Sequence, residues 1–208
     1  MLKLYLVRHG ETAWNIDNKY QGITDIPLNE IGIKQAQAIA RRMKAFKIDK
    51  IYSSDLSRAY ETGKLISREK NINIEKMPGL REISFGEWEG YTISELEELY
   101  GENYKRFFLE PHKYNFPGEG SMEAVQKRIR KAIGEIEKKH PKGDIVIVSH
   151  GGVLKILIMT LLEIDLSFFK SFWLGNTSLS IIEKKDNGKW ILSLLNDRSH
   201  LEEVYFKQ

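Results

Sequence analysis

Residues 144–162 read DIVIVSHGGVLKILIMTLL, in which two apolar runs are separated by a histidine and two glycines. The first run, 144–149, shows no alternation of apolar and polar residues, which is typical of a strand buried on both faces. The second run, which starts after the glycines, predicts a helix. A buried strand that leads directly into a helix is the building unit of a parallel sheet with helices packed against it.

The rest of the chain alternates between strands and helices in the same way. Short apolar, β-branched and aromatic runs predict strands at 2–7, 50–54 and 72–77. Apolar residues at helical spacing predict helices at 29–46, at about 55–68 and from Ser121 onward. Two final strands, 178–184 and 190–195, are joined through Asp186-Asn187-Gly188, a strong hairpin signal. We therefore expect an α/β protein: a three-layer sandwich with a mostly parallel central sheet, helices on both faces and a C-terminal antiparallel hairpin.

Composition excludes several classes of function. At 208 residues the chain is expected to form a single domain over 1–208. The net charge is only +3 and there is no long lysine/arginine block, so we expect neither a nucleic-acid partner nor an anionic membrane surface. The absence of cysteine excludes disulfides, thiolate metal sites and cysteine nucleophiles. With no signal-peptide pattern and no membrane-length apolar run, a cytoplasmic protein is expected.

Two of the predicted strands end in a histidine followed by glycine. The first ends at Arg8-His9-Gly10 and the later one at His150-Gly151-Gly152. Ligands of open parallel sheets bind beyond the carboxyl ends of the strands, so both histidines are expected to face one crevice. The helix that follows the glycines would direct its N-terminal N–H groups to the same place, where they favour an anion.

Arginines are the second sign of an anion site. Arg8 offers a planar fork suited to phosphate or carboxylate oxygens. Arg58 is predicted in the first turn of a helix, an end that is unfavourable for a cation unless an anion lies between them. The alternative is that Arg58 pairs with Asp55 or Glu61 on its own helix.

The other histidines carry a weaker signal. His112 and His140 lie in polar surroundings that indicate the surface, and for His200 both a pocket position and a structural one remain open. No HxH or HExxH spacing occurs, so no metal site is expected, and P-loop, GxGxxG and DxDxT motifs are absent as well.

Four segments in a fixed order carry a family resemblance. They are LVRHGETAWN, SSDLSRAYET, LREISFGEWEG and VSHGG, which together run from residue 6 to 152. This set resembles the histidine phosphatase superfamily, the phosphoglycerate-mutase-like proteins. The length is similar to that of the cofactor-independent phosphatases, including α-ribazole phosphatase and broad-specificity bacterial phosphatases.

The resemblance implies roles for individual residues. It implies that His9 is the nucleophile that becomes phosphohistidine and that Glu82 is the general acid. It implies a phosphate pocket formed by Arg8, Arg58 and His150, to which a protonated His150 would add a further donor. It also implies pocket contacts from Asn15, Gln21, Gly22 and the backbone N–H of Gly151. No metal and no other cofactor is implied.

Residues 84–120 bear on the choice between phosphatase and mutase. The resemblance implies that this segment, with its glycines and two short predicted helices, is a lid-like insertion over the active site. Its three cations, Lys105, Arg106 and Lys113, face eight glutamates, which makes a poor site for a second phosphate. Its many aromatic residues suit an apolar or aromatic leaving group.

We therefore expect a metal-independent phosphomonoesterase that hydrolyses small phosphorylated metabolites through phosphohistidine, with α-ribazole 5′-phosphate as one candidate substrate. Phosphoglycerate mutase activity is the alternative. A catalytically silent phosphate-binding adaptor is a second alternative, although such a protein should lack the nucleophile or the acid, and this chain has both. The edge of the C-terminal hairpin offers a surface for a homodimer.

Overall fold

Six strands form one sheet in the order β3-β2-β4-β1-β5-β6. The computed structural model of the chain describes residues 1–205, so 206–208 of the predicted domain lie outside the described residues. The strands are β1 Leu2–Arg8, β2 Lys50–Ser53, β3 Ile74–Lys76, β4 Gly143–Ser149, β5 Leu179–Lys184 and β6 Trp190–Asp197. Strands β1 to β4 pair in parallel, while β5 is antiparallel to both β1 and β6. The predicted mostly parallel sheet with a C-terminal antiparallel hairpin is confirmed.

Helices cover both faces of this sheet. They are α1 Ala13–Ile16, α2 Glu30–Met43, α3 Ser57–Lys70, α4 Ile93–Tyr100, α5 Glu102–Leu109, α6 Met122–Lys139, α7 Gly151–Leu161 and α8 Glu202–Tyr205. Helices α2 and α3 pack against each other on one face, and α6 and α7 do so on the other. Short 3₁₀ turns lie at 78–80, 86–88, 166–170 and 199–201. None of the helices within 1–205 has the length and apolar character that a membrane crossing requires.

The alternation of side chains along β1 shows why three layers form. Leu4 and Leu6 belong to the core that α6 and α7 cover, whereas Tyr5 and Val7 belong to the core beneath α2 and α3. Successive side chains of a strand point to opposite faces, so an uninterrupted apolar strand needs a cover on each side. The three-layer sandwich predicted from such runs is confirmed.

The start of α3 differs from the prediction in an informative way. The helix begins at Ser57 rather than near Asp55, and its N-cap Leu56 provides no side-chain hydrogen bond. Asp25, from a distant loop, accepts the Ser57 N–H at 2.7 Å instead. Asp55 accepts hydrogen bonds from Arg81. Capping by a side chain far away in sequence leaves no local pattern to read.

The carboxyl ends of the central strands lie side by side. Arg8 at the end of β1 is in register with Ser149 at the end of β4, and the His9 N–H donates to the Ser149 carbonyl at 2.9 Å. Strand β2 ends on the other side of β4, with Ser53 opposite Val148. Residues that follow β1, β2 and β4 are therefore brought to one edge of the sheet.

Candidate active site

The two strand-end histidines meet at this edge. The ring centroids of His9 and His150 lie 5.1 Å apart, with the ring planes inclined by 56°. His9 follows β1, and His150 is the N-cap of α7 after β4. Both side chains are buried. The two histidines meet at one edge of the sheet as predicted, but of the two only His9 lines the cavity that opens there.

Hydrogen bonding defines the tautomer of His9. Its Nδ1 lies 2.7 Å from the carbonyl oxygen of Gly10, which can only accept, so Nδ1 carries the ring proton. The lone pair is then on Nε2. Burial, with added repulsion from the Arg58 and Arg8 guanidinium groups, holds the pKa of His9 well below its usual range. The ring is therefore neutral at pH 7 and has a nucleophilic nitrogen available.

His150 is also neutral, for related reasons. Burial first, and then the positive charge of Arg58, holds its pKa well below the usual range. The expected protonated His150 is therefore wrong for the unliganded protein. Its Nε2 lies 2.9 Å from Ser54 Oγ, which also accepts the Leu56 N–H, and we assign the serine as donor to Nε2 because this gives the hydroxyl proton an acceptor among the described residues. The proton of the imidazole then resides on Nδ1, which is buried and has no partner among the described residues.

Arg8 and Arg58 place two buried cations beside these rings. Arg8 donates to the Leu174 carbonyl at 2.6 Å, and burial lowers its pKa to about 10, so it stays charged at pH 7. Arg58 is fully buried and donates to the carbonyls of Thr24 and Gly22, at 2.8 and 2.7 Å. Within residues 1–205 neither arginine forms an ion pair, and the Nε of each is buried without a partner. Two such donors at one edge suit a bound anion.

The alternative partners of Arg58 are engaged elsewhere. Asp55 forms its ion pair with Arg81, and Glu61 forms one with Lys64. The reading of Arg58 as a partner of an acid on its own helix is therefore wrong.

Glu82 is held against the start of α7 by backbone donors. Its Oε1 accepts the N–H groups of Ile83 and Val153, at 3.0 and 3.1 Å, and its Oε2 accepts that of Gly152 at 3.2 Å. The first N–H groups of a helix have no partner within the helix, and the carboxyl oxygens of Glu82 accept two of them here. The neighbouring Arg81 points away and pairs with Asp55. Glu82 is therefore fixed in place, half-buried, at the wall of a cavity.

That cavity has a volume of about 810 Å³ and opens at the strand ends. Most of the predicted site residues line it. From the first motif and the loop that follows it come Arg8, His9, Asn15, Gln21 and Gly22. From later segments come Arg58, Glu82 and Gly151. Among the described residues His150 does not line the cavity, but it lies behind His9 with its ring in contact.

Asn15 and Gln21 direct polar atoms to the cavity that have no hydrogen-bond partner among the described residues, and Gly22 lies beside them. Asn15 Oδ1 accepts the Thr12 N–H at 3.1 Å, which leaves the Asn15 amide N–H groups to donate into the cavity. Gln21 Oε1 is buried without a partner in the described part of the chain. Gly22 has φ +50°, and a Cβ there would collide with the Glu89 carboxylate, so only glycine fits.

Several residues that line the cavity were not predicted from the sequence. Asn176 donates to the His9 carbonyl at 3.1 Å and to Asn15 Oδ1 at 3.2 Å. Lys155 and Arg198 add positive charge to the wall. The signal that could have revealed Lys155 is its position as the only charged residue in the apolar run 151–162.

His200 lies apart from the cavity. Its Nε2 is 3.4 Å from Thr177 Oγ1 and its Nδ1 is 3.4 Å from an Arg42 nitrogen. The sequence left open whether His200 lines the pocket or has a structural role, and these contacts place it in a structural role.

The segment 84–120 supplies an aromatic wall. Its members on the cavity are Phe85, Ile93, Phe107, Phe108 and Pro111. Its cations are not there: Lys105 pairs with Glu102, Lys113 pairs with Glu110, and Arg106 is exposed. Within the described residues, no three His, Asp or Glu side chains cluster in a way that could hold a metal ion.

The chain matches the histidine phosphatase superfamily (branch 1) over residues 4–198. It belongs to that superfamily. This histidine phosphatase is 39% identical over 205 residues to phosphoserine phosphatase 1 of Hydrogenobacter thermophilus, covering 99% of this chain and 97% of that protein. A metal-independent phosphoserine phosphatase of Arabidopsis thaliana is 35% identical over 209 residues, which is 99% of this chain and 86% of that one.

Solved structures agree with this membership. The histidine phosphatase superimposes on YhfR of Bacillus stearothermophilus with a TM-score of 0.90 at 35% identity, covering 97% of this chain and all of that one. An α-ribazole phosphatase from Shigella flexneri gives a TM-score of 0.85 at 30% identity, covering 95% and 97% of the two chains. The predicted family and the predicted enzyme class, a phosphatase, are both confirmed.

Proposed function

We propose that this protein is a phosphomonoesterase that hydrolyses small phosphorylated metabolites through a phosphohistidine at His9. One observation carries the proposal: a neutral histidine, whose Nε2 has no hydrogen bond within residues 1–205, lies close to two buried arginines that form no ion pair with a described residue. The arginine donors would neutralise the equatorial oxygens of the phosphoryl group as it is transferred. His150 Nδ1–H and the amide of Asn15 would add uncharged donors.

In the first half-reaction His9 Nε2 attacks phosphorus while the bond from phosphorus to the ester oxygen breaks. The electron pair of that bond goes to the departing oxygen, which takes a proton from the protonated carboxyl of Glu82. Oε2 is the oxygen suited to this task, because it accepts one backbone N–H while Oε1 accepts two. The products are an alcohol, phosphohistidine and the Glu82 carboxylate.

In the second half-reaction water attacks the phosphorus of phosphohistidine. The nitrogen–phosphorus bond breaks, its electron pair returns to Nε2, and the water gives a proton to Glu82. Inorganic phosphate leaves, and both residues regain their starting states. The same residue thus acts as acid and then as base.

The identity of the physiological substrate belongs to this proposal. Phosphoserine and α-ribazole 5′-phosphate are both candidates, because relatives of similar length are named for them. The aromatic wall from 84–120 suits an apolar or aromatic leaving group, and we propose that this segment acts as a lid over the site. A screen of phosphorylated metabolites, ranked by kcat/KM, would decide between the candidates.

Trapping tests the covalent step. Brief exposure to labelled substrate followed by denaturation should yield an acid-labile, base-stable phosphoenzyme in the wild type and none in His9→Ala. Turnover by His9→Ala above about a thousandth of wild type would contradict the mechanism.

Phosphoglycerate mutase activity and a silent adaptor are the competing functions. Incubation with 3-phosphoglycerate separates all three, since a phosphatase releases phosphate, a mutase yields 2-phosphoglycerate and an adaptor does neither. A cytoplasmic location and a homodimer stay predictions, of which light scattering in solution tests the second.

A further inference from the structure

A buried lysine lies on the wall of the cavity, one helical turn beyond the glycines of α7. Lys155 is only 7% exposed and lines the same cavity as Gly151 and Gly152. Residues three and four positions apart share one face of a helix, which explains why these three look into one space. Gly151 and Gly152, at the start of α7, lie beside the proposed phosphate site, and Lys155 lies farther along the same face of the helix.

The surroundings of Lys155 contain no acidic partner of its own. Its Nζ lies 3.9 Å from the ring centroid of Phe169 and 5.6 Å from that of Phe172. Within residues 1–205 it forms no ion pair. Burial lowers its pKa to about 8, with Glu82 acting against this shift and Lys170 and Arg8 adding to it. The ammonium is therefore mostly charged at pH 7.

A buried charge without a partner costs stability, and two aromatic rings offset only part of that cost. A lysine in this position fits a ligand that brings the missing negative charge. Of the other lining cations outside the phosphate site, Arg198 and Lys170 are exposed and Lys19 is only half-buried, and an ion pair that water reaches contributes little. Lys155 is the cation whose desolvation favours a strong and selective contact.

The order of groups along α7 indicates which part of the substrate that charge belongs to. Gly151 lines the cavity beside the Arg8 guanidinium, the carboxyl of Glu82 accepts the N–H groups of Gly152 and Val153, and Lys155 follows. At 1.5 Å per residue, the backbone of Lys155 lies roughly 3 to 5 Å along the helix axis from the N–H groups that hold the proton donor. A short leaving group would bring an acidic substituent to that point.

We infer that Lys155 binds a carboxylate on the leaving group and so selects phosphate esters of short hydroxy acids, including hydroxy amino acids. This inference rests on the proposed phosphatase function and names a specificity determinant for it. The aromatic rings hold the ammonium in position while the phosphate end of the substrate is held by His9 and its neighbours.

A matched pair of substrates tests the assignment. O-Phospho-L-serine and O-phosphoethanolamine differ only in the carboxylate, so the ratio of their kcat/KM values isolates its recognition. In Lys155→Met that ratio should fall by about 10- to 100-fold, mainly through KM for phosphoserine. The control is Lys76→Met, the same change at an exposed lysine 4.2 Å from the Tyr60 ring and away from the cavity, which should keep the ratio.

Three outcomes would overturn the inference. Equal losses on both substrates in Lys155→Met would mean that the lysine only supports the fold. A ratio that falls in Arg198→Met but not in Lys155→Met would assign the carboxylate to the other cation. A wild type that prefers phosphoethanolamine would exclude a carboxylate site.

The same assays distinguish failure of this inference from failure of the proposed phosphatase function. In that case the wild type would release phosphate from neither substrate nor from p-nitrophenyl phosphate. Calorimetric binding of the two esters to His9→Ala, with and without Lys155→Met, would still measure the carboxylate preference without turnover.

Discussion

Replacement of Glu82 by glutamine removes the proton donor of the proposed mechanism while it keeps the size of the side chain. The amide oxygen can still accept the N–H groups of Ile83 and Val153, but the amide nitrogen would meet the Gly152 N–H, donor against donor. One of three hydrogen bonds to a carboxylate is lost, which costs about 1.5 to 3 kcal/mol of stability. The fold should therefore persist with a lower melting temperature.

The effect on catalysis depends on the leaving group. An alkoxide leaves poorly without a proton, so kcat/KM for glycerol 3-phosphate or phosphoethanolamine should fall by about 10²- to 10⁴-fold in Glu82→Gln. p-Nitrophenolate leaves readily without help, so its loss should stay below about 10-fold. The ratio kcat/KM covers steps only up to departure of the alcohol, which removes hydrolysis of phosphohistidine from the comparison.

Glu89 provides the matched control. Its carboxylate also accepts three backbone N–H groups, those of Ile23, Thr24 and Phe85, but it does not line the cavity. Glu89→Gln should lower activity on both kinds of ester by one common factor. If Glu82→Gln also slowed both by one factor, Glu82 would be a positioning residue or the base that activates water, and the acid would have to be another group.

Four shorter predictions concern the phosphate site. Arg58→Ala should reduce kcat/KM by roughly 100-fold or more, since it removes the proposed buried contact to the phosphoryl group. Arg106→Ala, the control at an exposed arginine, should change kcat/KM little. Equal, mild losses in the two variants would mean that Arg58 is not part of the phosphate site. The pKa values of His9 and His150 are lowered, so both rings should stay neutral as pH falls through about 6.5. Their NMR resonances should therefore not titrate between about pH 6 and 8. A titration midpoint in that range would refute the assignment of neutral rings. Ser54→Ala removes the hydrogen bond that sets the His150 tautomer and should lower kcat by about 10-fold, while wild-type kcat would argue against a donor at Nδ1. Dialysis against EDTA should leave kcat unchanged because arginines supply the positive charge, and restoration of lost activity by Mg²⁺ or Zn²⁺ would contradict that reasoning.

Local sequence patterns were enough to predict the architecture. The unalternating run of β4 and the glycines before α7 are short-range features, and each has few physical solutions. The same holds for the hairpin at Asp186-Asn187-Gly188, where Gly188 adopts φ +81°. Because the carboxyl ends of parallel strands share one edge, the convergence of His9 and His150 followed from strand order alone.

Local sequence patterns did not predict where α3 begins or which protonation state His150 adopts. Asp25 caps α3 from a different loop, and Ser54 sets the tautomer of a histidine 96 residues away. The family resemblance implied that a protonated His150 would add a donor to phosphate, and an imidazole close to an anion does favour the charged form. Burial beside Arg58 reverses that preference, and burial depends on the whole fold.

The sequence by itself determined the family and the strand–helix order and supplied the candidate residues of the proposed phosphate site, because these depend on contiguous motifs. Only the tertiary structure decided what else surrounds the substrate. Asn176 and Lys155 enter the site from segments more than 140 residues beyond His9, and the isolated charge of Lys155 in an apolar run says nothing about which residues lie opposite it. Side-chain contacts between distant segments are set by packing, and packing is a property of the folded chain rather than of any local pattern.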